Sequence, residues 1–399
     1  MSKKEKLILM YKDLEVLSFE VDFTERCSIH FLEKLEHFDR APYNLTKKDT
    51  NLDSALIRFF NARTIPPQRH NYEAILKATG CASALELSFR GHGLSLANHY
   101  WFKKEGGNLK YDEINFFTNK WDDSYAKAIL NEDYEALKNC DLNVPDVVTS
   151  GWADKVWIYD NGPKLYKFGI VKDAYEDCLG EVLASKLIQR ILKEDEVVHY
   201  ELKQINEKYA SVSPVIINID EELIPLSDYL PPSLYALYRS SNRDKNLEKK
   251  FFEKVSDYGM PELYEFFVKV QCIKSICFVS DLHFDNLSLI KNTKTGKIRI
   301  APIFDLAGAF GTSKTGREFV SNLTKGSYII VYFMFGGLDP DWDYSWYDPD
   351  KLIGFEEEIK EILSKSEFYT PELIERIIAV YHQQKTYLDE AAGKCNKVM

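Results

Sequence analysis

At 399 residues the chain exceeds what one compact core ordinarily needs and matches two to three lobes of about 150 residues each. With 45% apolar and 28% charged residues, and with Phe 24, Tyr 24 and Trp 6, it has the composition of a packed globular protein, which excludes general disorder. A net charge of −11 disfavours a self-sufficient nucleic-acid binder, and the longest apolar run, Tyr328 to Phe335, falls far below the ~20 residues of a membrane span, so a soluble protein without membrane contact is expected.

The start of the chain has only Leu7 to Met10 as an apolar stretch, too short for the ~7 to 15 residue core of a secretion signal. The cysteines at 27, 81, 140, 178, 272, 277 and 395 contain no Cys-x-x-Cys pair, which fits reduced thiols in a cytoplasm better than a disulfide framework or a zinc ribbon.

Residues 1 to 52 mix strand-like and helical patterns, with Phe31, Leu35 and Phe38 spaced for one short helix ending before Pro42. Asn51 to Ala62 reads as a helix. The break after it, Arg63 to Arg69 around Pro66 and Pro67, is read first as a surface turn and second as a contact for an anion or partner. Tyr72 to Ala78 is a second helix, ended by Gly80. Ser95 to Phe102 and Glu113 to Phe117 are strand-prone, and Ser124 to Leu137 returns to helical spacing.

Asn143 to Ser150 opens a new segment, in which Val156 to Tyr159 and Lys164 to Gly169 form two strands around the turn Asp160-Asn161-Gly162. Ala174 to Leu192 is an amphipathic helix of about five turns with Leu179, Val182, Leu183, Leu187 and Ile191 on one face. Val197 to Leu202 and Pro214 to Ile219 return to strands. Beyond Pro231 the chain is mostly helical, with Pro261 opening the helix Glu262 to Cys277. A loop, Ser280 to Asn286, precedes a hairpin of Leu287 to Ile290 and Lys297 to Ile303. Phe355 to Leu363 and Glu372 to Leu388 are closing helices. The expected division is an N-terminal region 1–145, a small lobe 146–228 and a mainly helical lobe 229–399.

The chemistry concentrates after the buried helix. The loop reads Asp281-Leu282-His283-Phe284-Asp285-Asn286, and the strand after the next hairpin ends in Phe304-Asp305-Leu306. A phosphoryl transferase needs one carboxylate near the attacking hydroxyl, and an Asn with a second carboxylate to hold Mg²⁺ on the nucleotide phosphates. Asp281 and Asn286 have the five-residue spacing of a kinase catalytic loop, and Asp305 stands where a metal-binding aspartate is needed. His283 either faces the phosphates or braces the loop. Upstream, Lys167 at the end of a strand and Glu181 in the following helix fit the lysine and glutamate that steady the phosphates. Lys164 falls on the opposite strand face. Gly151 opens the turn Thr149-Ser150-Gly151-Trp152-Ala153-Asp154-Lys155, whose backbone N–H groups suit phosphate oxygens.

These motifs resemble the HipA-like serine/threonine kinases of bacterial toxin–antitoxin systems. Asp281-x-His283-x-x-Asn286 is similar to that family's catalytic loop, Pro302-x-x-Asp305 to its metal strand, and Gly151-x-x-x-Lys155 to its phosphate loop. The likeness spans about 149 to 310 and, more loosely, Arg63 to Thr149, which is similar to an N-terminal extension in Gram-positive relatives. It implies an α+β, bilobal protein-kinase-like fold with ATP bound between the lobes. Asp281 would be the catalytic aspartate with His283 beside it, and Asn286 and Asp305 the Mg²⁺ ligands. The expected nucleotide contacts are Thr149, Ser150, Gly151, Lys155, Lys167, Glu181, Asn218 and Ile219. Where the family often carries an autophosphorylated serine this chain has Val148, with Thr149 and Ser150 in a shifted register. The implied partners are a protein substrate, such as an aminoacyl-tRNA synthetase or another translation protein, and a separate HipB-like antitoxin.

Two other functions share these residues. One is a phosphoinositide- or small-molecule-kinase-like phosphotransferase, and the other a nucleotide-binding regulator without turnover. Asp339 to Asp350 is read as an ordered acidic loop, since its spacing is not that of an EF-hand. Gly311 to Gly316 lacks the lysine of a P-loop, having Arg317 there.

Overall fold

Leu7, Leu9 and Tyr11 alternate with Ile8 and Met10, the two-residue period of a strand buried on both faces. In the structure, a computed structural model that describes residues 4–23, 28–47, 50–169, 177–240, 245–258, 260–279, 281–313, 316, 318, 320 and 337–394, this segment is β1 (Lys4–Tyr11). The apolar run 328–335 lies outside the described residues, as do Cys27, Ser280, Arg317, Cys395 and Glu176, the alternative to Glu181 as the helix glutamate.

β1 joins β2 (Leu14–Asp22), β3 (Ser28–Lys34) and β4 (Tyr100–Lys104) in an antiparallel sheet of order β3-β2-β1-β4. Leu7, Leu9 and Phe19 pack on Leu56, Phe59 and Phe60 of α1 (Leu52–Asn61). Ile8, Met10 and Trp101 face a second core with Ile75 and Leu76 of α2 (Tyr72–Thr79) and Leu87 of α3 (Ala84–Arg90). The caps of these helices were legible. Asn51 accepts the Ser54 N–H at 2.9 Å, and Gly80 ends α2 at a left-handed φ of 64°.

Two expectations here are corrected. Phe31 is not helical but lies in β3 opposite Phe19, because a strand followed by a turn meets the same apolar spacing. Glu113 to Phe117 is not a strand. One helical turn, Tyr111–Ile114, ends where the Asn115 side chain accepts the Phe117 and Thr118 N–H groups.

The chain divides into two compact units, the first comprising Met1–Lys167, Pro214–Leu223 and Ile290–Ile298, the second Phe168–Ser213, Ile224–Leu289 and Arg299–Met399. Within the first, α4 (Ser124–Leu130) precedes the predicted hairpin of β5 (Lys155–Tyr159) and β6 (Pro163–Phe168), whose turn places Asn161 and Gly162 at φ 52° and 116°. Trp157 and Tyr159 pack against the second core, with the Tyr159 ring 5.4 Å from Trp121.

In the second unit α5 (Asp177–Ile191) buries the predicted stripe of Leu179, Val182, Leu183, Leu187 and Ile191. β7 (Glu201–Ile205) and β8 (Lys208–Pro214) form a hairpin closed by Asn206 and Glu207, both at positive φ. The strands therefore run later and earlier than the expected Val197 to Leu202 and Pro214 to Ile219. An Asn-Glu turn carries no glycine to signal it. β9 (Glu221–Pro225) follows, then α6 (Pro232–Ser240), α7 (Lys245–Ser256) and α8 (Glu262–Ile276). β10 (Ser288–Asn292) and β11 (Ile298–Ile300) make the predicted second hairpin and, with β9, a sheet of order β11-β10-β9, of which Glu221–Leu223 and Ile290–Ile298 count with the first unit.

α9 (Phe355–Leu363) packs on α5 and on α10 (Pro371–Ala391), which also packs on α8. Between β11 and α9 the acidic stretch is ordered as read, with Asp339, Asp343 and Asp348 each accepting the N–H two residues on. The protein is a mixed α+β chain, as expected. Among the described residues no helix is long and apolar enough to cross a membrane.

Candidate active site

Helix α8 sets the base of the site in the second unit. Phe267, Val270 and Ile273 point into the core, and Lys274 shares that inward face, leaving it 2% exposed. Its ammonium donates to the Leu282 carbonyl at 3.1 Å. Burial lowers the Lys274 pKa to about 8 against the opposing pull of the Asp281 carboxylate.

The loop above this lysine is knitted by its own polar groups. Asn286 Nδ2 donates to the Asp281 carbonyl at 2.8 Å, and the Asn286 and Leu287 N–H groups both donate to the His283 carbonyl. With Nδ2 committed, Oδ1 of Asn286 is directed away from that carbonyl as a hard oxygen donor. His283 Nε2 lies 3.3 Å from Asp281 Oδ1, and the Asp285 N–H donates to Nδ1 at 3.3 Å. The hydrogen bond to Asp281, opposed by burial, holds the imidazole pKa above its ordinary value. His283 thus makes bracing contacts on both sides.

Asp305 sits at φ 57°, a left-handed conformation costly for a residue with a side chain. A relay from α5 fixes it. Ser185 Oγ donates to the Val198 carbonyl at 2.8 Å and accepts the Tyr200 N–H, and the Tyr200 hydroxyl oxygen accepts the Asp305 N–H at 3.1 Å. Val197 also bridges Ile303 in parallel, with the Ile303 N–H donating to the Glu196 carbonyl.

The segments bearing Asp281, His283 and Asn286 and bearing Asp305 are tied together at both ends. The Ala301 N–H donates to the Ser288 carbonyl at 2.9 Å, and the Phe310 N–H donates to the Cys277 carbonyl at 2.8 Å. The intervening loops therefore begin and end beside one another. α5 approaches the turn after Asp305 at Gly180, where any added Cβ would stand 2.3 Å from the Ala309 carbonyl oxygen. The next residue, Glu181, is 1% exposed and accepts a hydrogen bond from Ser211 Oγ of β8. Among the described residues no three His, Cys, Asp or Glu side chains converge as a metal cluster. The expected donors, the Asn286 amide oxygen and the Asp305 carboxylate, are of the kind that suits Mg²⁺.

The remaining predicted residues belong to the first unit. Lys155 and Lys167 are directly opposite in the β5–β6 register, so two cations share one face of the hairpin. Lys155 Nζ also folds back over Gly151, within 2.4 Å of where a Cβ would stand. Lys164 projects from the other face toward Asp160. Thr149 Oγ1 donates to the Pro145 carbonyl and accepts the Trp157 indole N–H at 2.9 Å, whereas Ser150 is exposed. The Ile219 carbonyl accepts Lys12 Nζ at 3.1 Å, its side chain packs on the second core, and Asn218 bonds Glu221.

Two residues escaped the sequence reading. Lys274 was signalled by its place on the apolar face of α8. Arg69 is not in a surface turn: it is 5% exposed, with its guanidinium under the 149–151 loop. Arg63 is buried too, 3.9 Å over the Phe59 ring.

No family model matches this chain, and no curated protein does. Among solved structures the chain is similar to the Helicobacter pylori proinflammatory kinase CtkA, at 14% identity and a TM-score of 0.43 over 60% of this chain and 93% of that one. It is also similar to HipA of Shewanella oneidensis MR-1, solved with HipB and operator DNA, at 11% identity and a TM-score of 0.45 over 97% of each chain.

Proposed function

We propose that this protein is a Mg-ATP-dependent phosphotransferase of HipA-like type, passing the γ-phosphate to a serine or threonine hydroxyl of a protein. The observation that carries this reading is the pair of loops tied at both ends in the second unit, one with Asp281, His283 and Asn286, the other with Asp305. Asp281 orients the acceptor hydroxyl and takes its proton. A bond forms between the acceptor oxygen and the γ-phosphorus, the bond from that phosphorus to the β–γ bridging oxygen breaks, and ADP leaves. Mg²⁺ held by Asn286 Oδ1 and Asp305 would neutralise phosphate charge. Lys155, Lys167 and the 149–155 loop of the first unit are assigned to the nucleotide phosphates, and Glu181 to the lysine's support. This assigns the nucleotide to a lobe 146–228 and transfer to a lobe 229–399. The motif resemblance extends the reading to a cytoplasmic toxin with a separate HipB-like antitoxin and a translation protein as acceptor.

Incubation with γ-labelled ATP and Mg²⁺, with and without bacterial lysate, tests it. Label on the protein or on a lysate protein, absent with Asp281→Ala, is the expected result. Undiminished label with Asp281→Ala, or none on any protein with the wild type, overturns it.

A further inference from the structure

The N-terminal region carries no motif for phosphoryl transfer, yet it reaches the phosphate loop with a buried cation. The chain turns sharply after α1: the Arg69 N–H donates to the Pro66 carbonyl, and the Tyr72 N–H at the start of α2 donates to the Arg69 carbonyl. Between these ties the Arg69 side chain runs inward. Its Nη2 donates to the Thr149 and Gly151 carbonyls, the latter at 2.9 Å, and Nε donates to Gly151 at 3.3 Å. The neighbouring His70 Nδ1 lies 3.9 Å from Asp154 Oδ2, at the other end of the same loop.

A guanidinium holding carbonyls two residues apart dictates where the loop's donors point. In a trans peptide the C=O of one residue and the N–H of the next are antiparallel, so the Ser150 and Trp152 N–H groups face away from Arg69. Neither N–H has a hydrogen-bond partner among the described residues. Gly151, at φ 95°, supplies the backbone conformation between them. Lys155 Nζ folds over the same glycine.

We infer that Arg69 is a positioning residue for nucleotide phosphates, a clamp from the N-terminal region that pre-forms the 149–155 loop with two backbone N–H groups turned outward. The clamp rests on the phosphotransferase reading for its ligand. It gives residues 1–145 a defined part in that chemistry, since a loop ordered before binding does not charge its ordering entropy to the ligand.

The test compares wild type with Arg69→Gln and Arg69→Lys in the full chain. Two readouts are taken: exchange of the Trp157 indole N–H, which donates to Thr149, without nucleotide, and dissociation constants for Mg-ATP and for adenosine. In Arg69→Gln the indole proton is expected to exchange about tenfold faster and Mg-ATP to bind about tenfold more weakly, with adenosine unchanged; Arg69→Lys recovers part of both. Retained adenosine binding and unchanged amide exchange in β1 to β4 certify the fold. Unaltered indole exchange, or a loosened loop that still holds Mg-ATP as tightly as wild type, overturns the clamp. A wild type that binds no Mg-ATP sinks the phosphotransferase reading instead, and indole exchange alone then decides whether Arg69 holds the loop.

Discussion

Gly180 and Thr312 approach so closely that a Cβ added to the glycine would stand 2.1 Å from the threonine hydroxyl oxygen. The contact seats α5 on the turn that follows Asp305. Gly180→Ala must therefore push the turn away, at a cost of about 1 to 3 kcal/mol for overpacking. The expected outcome is a lowered melting temperature together with a loss of phosphate transfer. An alanine variant as stable and active as wild type would contradict this packing.

The proposed function gives Asn286 two jobs that substitution separates. Asn286→Ala loses both the Nδ2 bond to Asp281 and the outward oxygen. Asn286→Asp keeps an oxygen but loses the donor and sets a second carboxylate beside Asp281. Initial rates against Mg²⁺ concentration should show a raised Mg²⁺ requirement for alanine. For aspartate, kcat should fall without that shift.

His283 offers a spectroscopic check. Its folded pKa is raised by the hydrogen bond to Asp281, so the imidazolium–carboxylate contact is fully present below the ordinary histidine pKa and fades as pH rises through the higher folded value. NMR titration of the ring nitrogens is expected to place the His283 midpoint above 6.5 in wild type, and to return it toward 6.5 in Asp281→Asn.

Asp146 ties its Oδ1 to the Trp157 N–H at 2.9 Å while burial, the dominant cause, pushes its pKa from 3.8 up to about 7. The folded chain therefore holds a proton that the unfolded chain releases. The carboxyl is tolerated best below pH 3.8, and as pH rises from there toward 7 proton release in the unfolded chain removes up to ~4 kcal/mol of stability. Thermal unfolding between pH 4 and 7 should show this loss in wild type and a flatter slope in Asp146→Asn.

Lys274 is charged and buried below its pKa of about 8, and its desolvation cost disappears only as pH rises from there toward 10.5. Lys274→Met removes that cost and orphans one carbonyl, so stability at pH 7 should change little. The transfer rate, in contrast, should fall at least ~tenfold, because the Asp281 loop loses its anchor. A variant that melts early yet turns over normally would assign Lys274 to packing alone.

What could be read from the sequence followed short-range chemistry. The Asn161-Gly162 turn, the Gly80 cap and the apolar stripe of α5 each announce themselves within a few residues. The Asp281 to Asn286 loop was legible for the same reason, since its hydrogen bonds close inside six residues. Arg69 was not, because its partners are 80 and 82 residues away. A Pro-Pro turn looks the same from sequence whether its arginine faces water or two carbonyls. The β7–β8 hairpin was misplaced because Asn206 and Glu207 adopt positive φ without a glycine. Tyr200 and Ser185 position Asp305 through single hydrogen bonds that no periodicity reports.

The first unit borrows Pro214–Leu223 and Ile290–Ile298 from far along the chain. A ribosome delivers residues in order, so the carbonyl of Ile219 and the hydroxyl of Thr293 that receive Lys12 do not yet exist while β1 to β4 are emerging. At ~5 to 20 residues per second, completion of that unit waits ~15 to 60 s after β1 is made. The nascent chain carries a half-built unit for most of its own manufacture, a long exposure in which a chaperone has more time to act than in a protein whose units are laid down one after the other.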